Sequence, residues 1–120
     1  MLTDDNTTIA ELRHRLREFN AARDWGLYHS QRNLAMALTV EAGELLELYL
    51  WSADDGPQPP VASRTPRVAE EIADVAICLL NLCEHAGVDL AAALERKIAA
   101  NAARYPVETV RGRLEKHDEY

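Results

Sequence analysis

Apolar residues return every three or four positions through most of the chain, the repeat of an α-helix with one buried face. Ile9, Leu12, Leu16 and Phe19 predict a first helix over 9–25, with Thr8 and Glu11 forming a capping box at its start. A short connection follows, 26–32. Leu34, Leu38, Leu45 and Leu48 then predict a second helix over 33–51. It must stop at Asp54-Asp55-Gly56-Pro57-Gln58-Pro59-Pro60, which prolines keep out of the helical conformation. Thr65-Pro66 reads as an N-cap and first helical residue, opening a third helix that runs to His85 or Ala86 and ends at Gly87. Asp89 caps a fourth helix, which finishes before Pro106. The tail, 107–120, reads as either a fifth short helix or a disordered segment. The expected fold is therefore all-α: a four-helix bundle over residues 1–106 followed by a C-terminal tail.

Composition narrows the function. At 120 residues the chain has the size of one domain, and 48% hydrophobic with 28% charged residues is a globular balance. Thirteen Lys and Arg against twenty Asp and Glu give a net charge of −7. That argues against a nucleic-acid or acidic-membrane partner, each of which needs a basic face. No run approaches the length of a membrane span, and the polar, acidic start MLTDDNTT does not read as a signal peptide. Cys78 and Cys83 lie five apart on one predicted helix, where side chains diverge, so no intrachain disulfide and a cytoplasmic setting are expected. A single layer of helices this size buries a modest core. Together with Gly43, Ala35, Ala42 and Ala92, which permit close approach of helices, it suggests a homodimer or homotetramer.

The chemistry lies in where certain acids fall. At about 100° per residue, Glu41 projects within the apolar stripe of the second helix and Glu44 about 60° to one side. On the third helix Val68, Val75, Cys78 and Leu82 form a stripe; Glu71 projects within it and Asp74 lies on its flank. Each helix thus carries two acids three residues apart, stacked on adjacent turns. Glu-x-x-Glu on a helix commonly marks a solvated face. Two such pairs on the apolar sides of neighbouring helices would instead repel, and burying unpaired carboxylates is costly. Either basic side chains reach in, or a cation sits there. Oxygen ligands without Cys or His point to a hard ion, Mg²⁺ or Mn²⁺.

Glu41-Ala-Gly-Glu44, 26 intervening residues and Glu71-Ile-Ala-Asp74 resemble the Glu-x-x-Glu…Glu-x-x-Asp signature of the all-α, MazG-like nucleoside triphosphate pyrophosphohydrolases. Arg23-Asp24-Trp25, His29, Arg32-Asn33-Leu34, Glu47-Leu48 and Trp51 are similar to the dCTP pyrophosphatase branch, as are Lys97, Asn101 and Arg104-Tyr105-Pro106. The similarity covers roughly residues 12–106. It implies Mg²⁺-dependent cleavage of a nucleoside triphosphate, dCTP or a relative of it, to the monophosphate and pyrophosphate. It also implies Glu41, Glu44, Glu71 and Asp74 as metal ligands and catalytic groups, with Trp25 and Trp51 as walls of a base pocket. Asn101 becomes a polar contact to the substrate, and His29 and Arg32 further substrate-side groups. Lys97 and Arg104, seven apart on one side of a helix, meet either the phosphates or solvent; Tyr105 either contacts substrate or packs the helix end. Two positions depart from the family pattern. Val40 stands where larger members often carry a further Glu. Cys78 stands where the dCTP branch commonly has Tyr, which bears on base preference.

Other features carry less. Glu11-x-x-His14 resembles half of a di-iron carboxylate site, but no second half exists. The rival readings are a non-catalytic helical module that binds nucleotides or a protein, and a relative specialised for dUTP or a damaged nucleotide. Retention of all four acids speaks against the first.

Overall fold

The computed structural model describes residues 1–50 and 65–113. The proline-rich connection, Trp51 and residues 114–120 lie outside the described residues. The described residues hold five α-helices, α1 (Ile9–Ala22), α2 (Gln31–Glu47), α3 (Thr65–Ala86), α4 (Leu90–Arg104) and α5 (Val107–Val110), with a 3-10 turn at Trp25–Leu27. No strand occurs among the described residues, so the all-α expectation holds. No single helix is long and apolar enough to cross a membrane among them.

The local signals explain most boundaries. Thr8 accepts from the Glu11 amide at 3.1 Å while the Glu11 carboxylate accepts from the Thr8 amide at 3.1 Å, so two orphan donors of α1 are satisfied reciprocally. Glu11 is thus consumed by capping and His14 by a contact to Glu18, which disposes of the half di-iron motif. α1 ends at Ala22, three residues before the expected Trp25, because Asp24 adopts a left-handed conformation at φ 53°. Asp is one of the few residues that tolerate that region. α2 begins two residues before the expected Asn33, because Ser30 caps it by accepting from the Asn33 amide at 3.0 Å. It ends at Glu47 rather than running to Trp51. Leu48, Tyr49 and Leu50 donate to Leu45, Leu46 and Glu47, tighter i to i−3 bonds that close the helix.

α3 starts at Thr65 itself, with Pro66 in its first turn. Gly87, at φ 66°, ends it, and the Val88 amide reaches back to the Cys83 carbonyl at 2.9 Å, the long bond of a Schellman cap. Asp89 caps α4 as expected, accepting from the Ala92 amide at 2.9 Å. Of the two alternatives for the tail, Val107–Val110 is a short helix.

The chain forms two units, Met1–Val88 and Asp89–Tyr120. In the first, α2 packs along α3, and α1 packs on α3 and on the 3-10 turn. The anticipated stripes do face inward: Leu34 and Leu48 are buried, Leu38 and Leu45 half-buried, and Val68, Val75, Cys78 and Leu82 half-buried opposite them. Arg13 fastens α1 to the far end of α3. Its Nε and Nη2 donate to Glu84 at 3.0 and 2.9 Å and its Nη1 to the Val88 carbonyl at 2.7 Å. Arg17 donates to both Glu84 oxygens at 3.0 Å. These guanidinium bonds, that of Arg13 foremost, hold the Glu84 carboxyl below its usual range against the opposing effect of burial. Both cysteines are free, Cys83 buried and Cys78 half-buried.

The second unit holds α4 and α5. Lys97, Asn101 and Arg104 are exposed on α4, and the Tyr105 amide closes that helix by donating to the Asn101 carbonyl at 2.8 Å.

Candidate functional site

α2 and α3 run antiparallel. Glu44, Glu47 and Leu48 share one hollow with Arg67 and Glu71, while Leu34 and Ala37 share another with Ile77, Cys78 and Asn81. This pairing brings the two motifs face to face. One carboxylate oxygen from each of Glu41, Glu44 and Glu71 lies within 4.8 Å of the others. Glu41 and Glu71 are half-buried and Glu44 is exposed. Asp74 is exposed and stands outside this convergent trio, yet its charge raises the pKa of both Glu41 and Glu71.

The electrostatics are those of an uncompensated acidic cluster. Glu41 is held above the ordinary carboxylate range, first by hydrogen bonding with the Glu44 side chain, then by burial and by the charges of Glu44, Asp74 and Glu71. Glu71 is raised chiefly by desolvation, with Glu44 and Asp74 adding to it; Arg67 pulls the other way but ranks below all three. One oxygen of each, Oε2 of Glu41 and Oε2 of Glu71, is buried without a hydrogen-bond partner. Buried acceptors are normally satisfied. Two orphaned ones on converging carboxylates, with no His or Cys in the set, fit a hard oxygen-liking divalent cation.

The neighbouring cavity, about 490 Å³, is walled by α1, the 3-10 turn, α2 and α3. Trp25 and His29 line it, with Phe19 and Tyr28 adding aromatic surface. Phe19 and Trp25 meet edge to face at 5.4 Å, and the Arg23 guanidinium covers the Phe19 ring at 3.7 Å. His29 meets His85 edge to face at 5.8 Å. Cys78 links the two regions. It lines the cavity, and burial together with the charges of Glu41 and Asp74 pushes its thiol up.

Arg32 is exposed in the first turn of α2 and does not line the cavity. Lys97, Asn101, Arg104 and Tyr105 belong to the second unit. Conversely, Asn20 and Asn81 line the cavity without having been expected to. The signal for Asn81 was present: it is the one polar residue in the run Cys78-Leu79-Leu80-Asn81-Leu82-Cys83.

Comparison with known proteins agrees with this geometry. Residues 36–119 match the MazG-like family. The chain is 42% identical over 107 residues to dCTP pyrophosphatase 1 of Bos taurus, covering 88% of this chain and 63% of that protein. It is 40% identical over 114 residues to dCTP pyrophosphatase 1 of Homo sapiens, covering 93% and 67%. The chain thus spans about 63% of the length of the first of these curated relatives. The crystal structure of a pyrophosphatase from Archaeoglobus fulgidus DSM 4304 superposes with a TM-score of 0.77 at 37% identity, over 88% of this chain and 99% of that one. With both acidic motifs facing each other across α2 and α3 and this similarity along most of its length, the chain belongs to the MazG-like family and groups there with dCTP pyrophosphatase 1.

Proposed function

We propose that the protein hydrolyses a nucleoside triphosphate, of the dCTP type, to the monophosphate and pyrophosphate, with Mg²⁺ held by Glu41, Glu44 and Glu71 and Asp74 beside them. The observation that carries this is the pair of orphaned, buried carboxylate oxygens on Glu41 and Glu71, converging with Glu44. Mn²⁺ suits the same donors. A bound divalent cation would supply Lewis-acid polarisation of the phosphoryl oxygens and neutralise part of the triphosphate's charge. The chain's own groups do the rest. The acids would hold such a cation at the phosphate chain, and a carboxylate among them would accept the proton of the attacking water. Trp25, Phe19 and Tyr28 offer apolar faces on which a base stacks out of water. His29 borders the same cavity.

The relatives named dCTP pyrophosphatase and the archaeal pyrophosphatase support this reading over a non-catalytic binding module. The expected products are pyrophosphate and the monophosphate, separable by anion exchange after incubation with Mg²⁺ and each nucleotide in turn. Orthophosphate with a nucleoside diphosphate would place cleavage at the γ-phosphate and reject the assignment. No turnover of any nucleotide would favour the binding module, and a preference for dUTP or a modified base would move the protein to a specialised relative.

We also propose self-association, as a homodimer or homotetramer. α2 is apolar on two faces. Opposite the buried leucine stripe, Met36 is 57% and Val40 58% exposed, and beside them a Cβ on Gly43 would meet nothing within 4 Å. A helix with apolar residues on both sides needs cover on both. Light scattering at micromolar concentration is expected to give two or four chains, and a monomeric mass would contradict it.

A further inference from the structure

Asn81 is a primary amide only 8% exposed, set in the floor of an otherwise largely apolar cavity. It has one partner: the Asn20 Nδ2 donates to the Asn81 Oδ1 at 3.1 Å, joining α1 to α3 beneath the aromatic wall. An amide side chain has two donor hydrogens and a carbonyl with two lone pairs. The single bond leaves Asn81 Nδ2 and Asn20 Oδ1 without a further partner among the described residues, and both residues line the cavity. The pair therefore presents a free donor and a free acceptor to whatever fills that space.

No second bond fixes the polarity of the pair. If both amides turn over, Asn81 donates to Asn20, the joining bond survives, and the free donor and acceptor exchange places. The two arrangements are complementary to opposite hydrogen-bonding edges. One suits a 4-amino pyrimidine, which offers a donor beside an acceptor. The other suits a 4-oxo pyrimidine, which offers them in reverse.

We propose that Asn20 and Asn81 form a reversible base-reading pair that selects nucleotides for an adjacent donor and acceptor on the base edge, accepting both 4-amino and 4-oxo pyrimidines. This rests on the hydrolase reading above and names the specificity residues of that site. A site whose polar groups go unpaired with the wrong ligand discriminates strongly, whereas one that can reverse its polarity does not.

The test is steady-state hydrolysis of dCTP and dUTP by the full chain with Mg²⁺. Wild type is expected to show kcat/KM values for the two within about 10-fold. Replacing both amides, Asn20→Leu with Asn81→Leu, removes the pair without orphaning either member, so the fold should persist by circular dichroism. KM should then rise by about 10- to 100-fold for both nucleotides, with kcat changing less. Asn20→Asp makes position 20 an acceptor only, which turns the Asn81 nitrogen toward it and leaves acceptors facing the base. Either pyrimidine edge then sets its own acceptor against one of them, so KM should rise by about 10-fold or more for dCTP and dUTP alike, a change that a purely structural amide bridge, which Asn20→Asp preserves, would not produce. An unchanged KM in the double variant or in Asn20→Asp, or wild-type discrimination beyond about 1000-fold, overturns the proposal. Wild type that turns over no nucleotide overturns the hydrolase reading, and the base-reading role with it.

Discussion

Replacing Glu41 by glutamine is expected to lower nucleotide hydrolysis by at least about 100-fold, the scale on which loss of a charge-stabilising group acts, while making the metal-free protein more stable at neutral pH. The second half follows from the direction of the pKa shifts. Glu41 and Glu71 sit above the usual carboxylate range in the folded chain. Just above pH 4.5 the folded state therefore binds more protons than the unfolded one, so their contribution to stability falls as pH rises through the folded values. Glu84 is shifted downward, so what it contributes is present above pH 4.5 and is lost as pH falls below it. Without metal, the melting temperature should decline on raising pH above 4.5, and Glu41→Gln should flatten that decline. Mg²⁺ should reverse the order. At a hundred times its dissociation constant, a ligand bound only by the folded state adds about 2.7 kcal/mol, and the variant should gain less. Thermal melts in chelator and in millimolar Mg²⁺ from pH 5 to 8, alongside pyrophosphate release, measure all of this. A metal-free variant that melts below wild type at pH 7, or equal Mg²⁺ shifts in both proteins, would sink the acidic-cluster account.

Leu34→Ala is expected to cost about 2–4 kcal/mol, the range for truncating a buried leucine. For a unit of this size that is about 10–25 °C in melting temperature. Leu34 is 4% exposed and belongs to the leucine stripe of α2 while also lining the cavity, so its loss both empties core and enlarges the site. Met36, two residues away and 57% exposed, provides the contrast. In a lone chain, Met36→Ala should stay within about 0.5 kcal/mol. In an assembled one it should weaken association and make the melting temperature depend on protein concentration. Calorimetry of both variants over a range of concentrations distinguishes the cases. A small loss for Leu34→Ala would mean that α2 is not the centre of the first unit.

What could be read from residues alone was mostly local or periodic. Thr8 with Glu11, Gly87 and Asp89 act within a few residues of themselves, and each does in the structure what its spacing implies. Glu41 and Glu71 were recognisable because a charged residue within an apolar stripe must either be paired or hold something. The rest depends on contacts distant in sequence or on conformations that the pattern does not encode. The left-handed Asp24 shortens α1, and nothing in the periodicity of Ile9 to Phe19 announces it. Ser30 falls within the expected connection 26–32, although its position three residues before Asn33 is an N-cap spacing. The i to i−3 bonds at Leu48–Leu50 end α2 at Glu47, and no apolar spacing in that stretch announces them. Asn20 and Asn81 lie 61 residues apart and acquire meaning only once α1 rests on α3.

The Arg13–Glu84–Arg17 clamp and the acidic trio draw on the same helix at separate places. Glu84 lies thirteen residues beyond Glu71 on α3, about 20 Å along the axis. Substitutions that far apart with no shared partner add their energies rather than interfere. The helix is in effect modular. Its distal end carries the mechanical attachment of α1, and its acidic stretch carries the chemistry. Directed evolution could rewrite the ligand set for a different ion or substrate while the attachment stays in place, and a destabilising gain at one end could be balanced by reinforcement at the other.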